Sequence, residues 1–214
     1  MAGEWRPFRG VAWRVEDRDY GGKPVSAEHS AARAGRWHRV GQECLYLNAD
    51  RTAVVANVRA AVLRGAWMRP AALAANVLDG GELGLAFVRE IGVIADGLAC
   101  ADVRTGSPAV SWGLPPTYPL RSGAVPGAAR DGDRVVPHAH CHIVADQVRR
   151  HAVGPPGIYC PSAALNGHAH AAGAEEVCAL GPVDRSRFES RIVRDYQSWA
   201  ELAGVDPARF NHVG

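Results

Sequence analysis

The chain has 214 residues, 47% hydrophobic and 21% charged, the profile of a globular protein able to bury a real core. Its net charge of +2 is too small to argue for nucleic acid or an anionic membrane as main partner. Five cysteines, odd in number and without a CxxC pair, argue against a disulfide framework or a zinc ribbon.

From the N-terminus, "MAGEWRPFRG" lacks the apolar segment of a signal peptide, and no run approaches the roughly 18–20 apolar residues of a membrane helix. A cytoplasmic location is expected. Residues 1–33 are polar and broken by Gly and Pro, with a short strand expected at "GVAWRV". "ECLYLN" reads as a second strand, Leu45 and Leu47 on one face, Cys44, Tyr46 and Asn48 on the other. Asp50 stands at an N-cap position before "RTAVVANVRAAVLRG", where Val54, Val55, Val58, Ala61 and Val62 form a helical stripe that Gly65 ends. "GLAFVREIGVIAD" fits a strand or a helix. The Gly-, Pro- and Ser-rich residues 104–134 read as a long surface loop. "HCHIVADQVRRH" returns to helical spacing, "GIYCPS" and "EEVCALGP" read as strands, and a polar, Arg-rich helix is expected from about Asp184 to Leu202. Nothing divides the chain, so one domain over 1–214 is expected.

Three constellations could carry chemistry. "HAHCH" offers His138, His140, Cys141 and His142; on a helix only His138 and His142 share a face, so a metal would need a third ligand such as His168 or His170. A metal-dependent hydrolase built there is the weaker alternative, and no metal is expected. Ser162 follows the apolar strand in "GIYCPSA", where a turn serine and a ligand-holding serine look alike. The third set is Arg14 in "AWRVEDRDY", Arg36 and Trp37 in "GRWHRVG", and Tyr46 in "LYLN". Arginine forks suit phosphate oxygens and aromatic rings stack on bases. Gly35 and Gly41 would permit close backbone approach to a ligand. A dinucleotide such as NAD asks for this combination, although no GxGxxG follows a strand. Taken singly, the arginines also fit a surface and the rings a core.

"AWRV", "GRWHRVG" followed by "CLYLN", a helix after "AD", and "GIYCPSA" occur together, in order, across residues 8–182. On these pieces the chain resembles the RES domain family, the toxins of bacterial Xre–RES toxin–antitoxin pairs. The resemblance implies an ADP-ribosyltransferase-like α+β fold, with a central, mainly antiparallel sheet flanked by helices. It implies binding of NAD as substrate and cleavage of its nicotinamide–ribose bond, with ADP-ribose passing to water, phosphate or a protein. A cognate Xre-like antitoxin is the implied partner, and nucleic acid would be reached only through it. Carried over residue by residue, Arg36, Asn57 and Ser162 take the catalytic positions, and Arg14, Arg36, Tyr46 and Ser162 the dinucleotide-binding ones. Trp37 would pack beside the site. The family's glutamate falls on Asn57, which accepts a hydrogen bond but brings no negative charge; Glu43 lies near in sequence. A non-catalytic dinucleotide-binding protein is therefore the alternative reading.

Overall fold

The computed structural model describes residues 3–17, 25–51, 53–54, 86–123, 135–162, 174–196 and 202. Among them six strands form one sheet: β1 (Trp5–Asp17), β2 (Cys44–Asn48), β3 (Ala86–Asp102), β4 (Pro156–Pro161), β5 (Glu175–Leu180) and β6 (Phe188–Tyr196). Strand order is β1-β2-β5-β4-β3-β6, and β1 also pairs with β3, so the first five strands close a circuit with β6 laid on β3. Only the β3–β4 pairing is parallel. Three helices are described: α1 (Glu28–Ala31), α2 (Ser107–Ser111) and α3 (His138–His151). The fold is α+β with a mainly antiparallel sheet, as the resemblance implies.

Alternation along the strands separates two cores. Cys44, Cys178, Leu180, Ile158 and Cys160 face α3, where they meet Trp37, Tyr118 and the helix residues Cys141, Val144, Ala145 and Val148. Those helix positions repeat at three and four residues, the spacing of a buried stripe. Leu45, Leu47, Val177, Ala179, Leu98 and Tyr159 face the other way, with Ala12, Ile91 and Phe188. The face assignment made for "ECLYLN" therefore holds.

Of the undecided segment at 84–96, the described residues 86–96 belong to β3, which runs seventeen residues by bending. Its first half pairs with β6 and its second with β4, while β1 follows both halves. Between Phe8 and Gly10 the register jumps from Leu98 to Val93. Gly97 takes φ +61° there, and a Cβ would lie 2.6 Å from the Phe8 carbonyl oxygen, so only glycine fits the bend.

Two expectations need correction. The stretch expected as a surface loop contains α2 and drives Ala109, Trp112, Leu114 and Tyr118 into the core. Its backbone meets its own partners on the way: Gly106 N–H donates to Pro116 O, Leu114 N–H to Ala109 O, and the Thr105 hydroxyl to Tyr118 O. Satisfied polar groups are what let an irregular segment be buried; residues 124–134 lie outside the described set. The C-terminal helix expected from Asp184 is, over 188–196, strand β6. Asp184 instead caps a short 3-10 turn at 185–187 by accepting from Ser186 N–H. The segment's charges act across strands, Arg191 lying opposite Glu90 with 2.6 Å between the charged groups. Free ladder positions on β3 and the β-branched Ile192 and Val193 outweigh helix propensity.

Asp50 caps as expected: its carboxylate accepts from Ala53 N–H at 2.8 Å. The rest of that helix stripe, with Asn57, lies outside the described residues, as do His168 and His170.

Candidate functional site

The loop before β2 is folded around one tyrosine hydroxyl. Gly35 and His38 bridge to each other, putting Arg36 and Trp37 at the tip of a tight turn. The Tyr46 hydroxyl accepts from Trp37 N–H at 3.1 Å and lies 3.1 Å from His38 Nδ1. His38 Nε2 faces two carbonyl oxygens, Ser30 and Arg33, each at 2.8 Å, so Nε2 carries a hydrogen. Gly35 has no room for a side chain: a Cβ would overlap the His38 ring and sit 2.7 Å from the Tyr46 hydroxyl. Helix α3 clamps the same turn. His142 Nε2–H donates to Gly35 O at 2.8 Å, Arg149 donates to Trp37 O at 3.3 Å, and Arg39 pairs with Asp146 at 2.6 Å.

Thus the conspicuous histidines take ordinary places. His138 and His142 share a helix face, with ring centroids 6.3 Å apart. Burial, with Arg36 behind it, holds His138 below its usual imidazole range. His142 spends Nε2 on the Gly35 carbonyl.

The clamped turn delivers the Arg36 side chain to the α3 face of the sheet. There its Nη1 lies 3.6 Å from Glu176 Oε2, the two side chains 17% and 10% exposed. Register puts Asn48, Glu176 and Cys160 in one row across β2, β5 and β4. Tyr118 and Cys141 belong to the same buried core and neighbour Arg36. Burial works against the Arg36 charge, but the neighbouring Glu176 carboxylate helps hold it on, and the guanidinium stays protonated. Burial pushes the Tyr118 phenol well up, so it stays neutral. Three buried atoms here have no hydrogen-bond partner among the described residues: Arg36 Nη1, Trp37 Nε1 and the Tyr118 hydroxyl. Trp37 and Tyr118 are neighbours, ring centroids 5.9 Å apart. Buried donors left open at this density are uncommon, and they suit an acceptor-rich ligand.

Ser162 is fully buried; its N–H continues the ladder to Ala174 O at 2.9 Å, two residues beyond Cys160 and on the same side as Glu176. Tyr46 packs against this core from β2, its hydroxyl committed to the Arg36 turn. Trp37 is wholly buried beside Arg36, as expected. Arg14 is brought elsewhere. It pairs in register with Arg89, two positions from the buried Ala12–Ile91 pair, and so shares the opposite face, where Nη1 donates to Ser26 O at 3.2 Å.

Cys160, Glu176 and Cys178 bring two sulfurs and a carboxylate oxygen within 4.8 Å of one another, a set able to hold a soft cation. Burial holds the Cys178 thiol well above its ordinary range, which disfavours the thiolate that a metal needs. The Cys44 thiol is drawn down to about 6: burial opposes this, and the hydrogen-bonding Cys178, His38 and Tyr46 outweigh it.

Sequence reasoning missed Glu176 and Tyr118. Glu176 had a signal: in "EEVCAL" it falls on the same alternating face as Cys178 and Leu180, a carboxylate in a row of apolar residues. Tyr118 had none, since it sits in the segment taken for a surface loop.

No family model and no curated protein matches the chain. Among solved structures it is similar to a chain of the crystal structure of the M. tuberculosis MbcT–MbcA toxin–antitoxin complex, at TM-score 0.56 and 15% identity. The likeness covers 98% of this chain and 91% of that one. At that identity what the two share is the fold.

Proposed function

We propose that the chain is a RES-type toxin that binds NAD and breaks its nicotinamide–ribose bond, restrained by a cognate antitoxin. The observation that carries this reading is the buried Arg36 guanidinium, held rigidly on the sheet beside Glu176 with a hydrogen-bonding position still open. It occurs in a fold shared with a protein from a toxin–antitoxin complex. An arginine so held grips a phosphate or a ribose oxygen without reorganising, since the turn that carries it is fixed from β2 and from α3. Ser162, on the same side, is suited to orient the nicotinamide or its ribose. Arg14 keeps its dinucleotide-binding assignment from the resemblance, although its fork reaches Ser26 O on the opposite face. Asn57 keeps its assignment from the resemblance and contributes hydrogen bonding but no charge.

The test is calorimetric titration of the purified chain with NAD, beside Arg36→Ala. Saturable binding to the natural chain, weakened at least about tenfold by the loss of one charge-assisted contact, is the expected result. Binding without turnover would favour the non-catalytic reading. Equal binding by both proteins would remove Arg36 from the site, and absence of binding by either would end the NAD reading.

A further inference from the structure

We infer that Glu176 is the carboxylate of this site, filling the role that the RES pattern gives to a glutamate and that here falls on Asn57. The inference rests on the NAD-cleaving reading above. Among the described residues three glutamates lie on or beside β2 and β5, and two of them are placed away from Arg36. Glu43 Oε2 accepts from Val183 N–H at 3.0 Å, and its backbone oxygen accepts from Gly181 N–H at 2.9 Å. A Cβ on Gly181 would collide with Glu43, so the two strands are pressed together there. Glu43 also lies at the wrong end of the ladder. Cys44 opposite Leu180 and Asn48 opposite Glu176 are four residues apart, about 13 Å along a strand. Glu175, on the other face, accepts from the Tyr159 hydroxyl and pairs with Arg104 at 3.4 Å.

Glu176 alone of the three reaches the Arg36 side. It stands on the middle strand, between the strand of Tyr46 and Asn48 and the strand that leads to Ser162. It is nearly buried, so its charge acts at low dielectric, and its 3.6 Å approach to Arg36 is too long for a hydrogen bond from Nη1. A ribose hydroxyl donating to Glu176 would be held where that negative charge steadies the cation forming at the anomeric carbon. The bond that breaks is nicotinamide N–C1′, its electron pair leaving with nicotinamide as the neutral amide. The bond that forms is C1′–O from an incoming water, whose spare proton passes to solvent.

The experiment measures kcat and KM for NAD in the natural chain, Glu176→Gln and Glu176→Asp, with thermal melting of each. Removal of a preorganised charge predicts a fall in kcat of about a hundredfold or more in Glu176→Gln, with KM within a few-fold. Partial return of kcat is expected in Glu176→Asp, which keeps the charge one methylene short. Should Glu176→Gln fail to fold, Glu176→Asp decides by itself: lowered kcat with NAD binding kept supports the assignment. Unchanged kcat in either folded variant overturns it while leaving the NAD reading intact. A natural chain that neither binds nor cleaves NAD fails the reading itself, and this inference with it.

Discussion

Two arginine–carboxylate pairs sit on neighbouring positions of the sheet and are built in opposite ways. Arg104 grips Asp102 with both prongs, at 2.7 to 3.3 Å, adds Glu175, and lies over the Tyr159 ring. Each of its three nitrogens has a carboxylate partner. Arg36 is more deeply buried, yet it meets Glu176 only at 3.6 Å and leaves Nη1 without a hydrogen bond. Consecutive glutamates, Glu175 and Glu176, serve the two pairs because alternation sends them to opposite faces. A pair that exists for stability closes on itself; a guanidinium nitrogen left open in a dry setting keeps its hydrogen-bonding capacity for something else.

That contrast can be broken by mutation, and the largest effects belong to the open pair. Arg36→Ala should weaken NAD binding at least about tenfold and Glu176→Gln should lower kcat about a hundredfold, as described above. Next comes the turn that aims Arg36. Gly35→Ala forces a methyl into the His38 ring and the Tyr46 hydroxyl, and should cost about 2 kcal/mol in denaturant unfolding. NAD affinity should fall with it, whereas a matched loss of stability elsewhere would leave affinity alone.

The closed pair should answer in stability and pH, with NAD chemistry unchanged. Burial raises the Asp102 carboxyl, but the Arg104 fork more than reverses this and holds it below its ordinary 3.8. A carboxyl depressed in the fold stabilises fully above its unfolded value and loses that contribution as pH falls through the folded one. Asp102→Asn should therefore cost about 1–2 kcal/mol at pH 7, discounted because Arg104 is a third exposed. The gap from the natural chain should close below about pH 4. A constant gap from pH 7 down to pH 2 would show that the charge of Asp102 is not what stabilises. The smallest effect expected is that of His142→Ala, about 1 kcal/mol from the lost bond to Gly35 O, with a modest weakening of NAD binding.

How much of this was legible depends on whether the decisive contacts were local. The alternation of "ECLYLN" and the Asp50 cap are written in a few residues, and both came through. Arg36, Trp37 and Tyr46 could be grouped from one short segment because the turn that joins them is itself short. The C-terminal strand was not legible: its Arg–Glu spacing suits a helix, and only the free edge of β3, about a hundred residues earlier in the chain, makes it a strand. The same distance hid the site's carboxylate. Glu176 meets Arg36 across a sheet register that no periodicity in "EEVCAL" reveals, although a charge on an otherwise apolar face was visible. Arg14 shows the converse, a motif residue that the register sends to the other face.

The most direct measurement of the central claim is product analysis after incubating the purified chain with NAD. Nicotinamide and ADP-ribose, or an ADP-ribosylated acceptor, should appear in equal amounts and vanish in Arg36→Ala. NAD recovered intact from a folded chain that does not bind it would contradict the account.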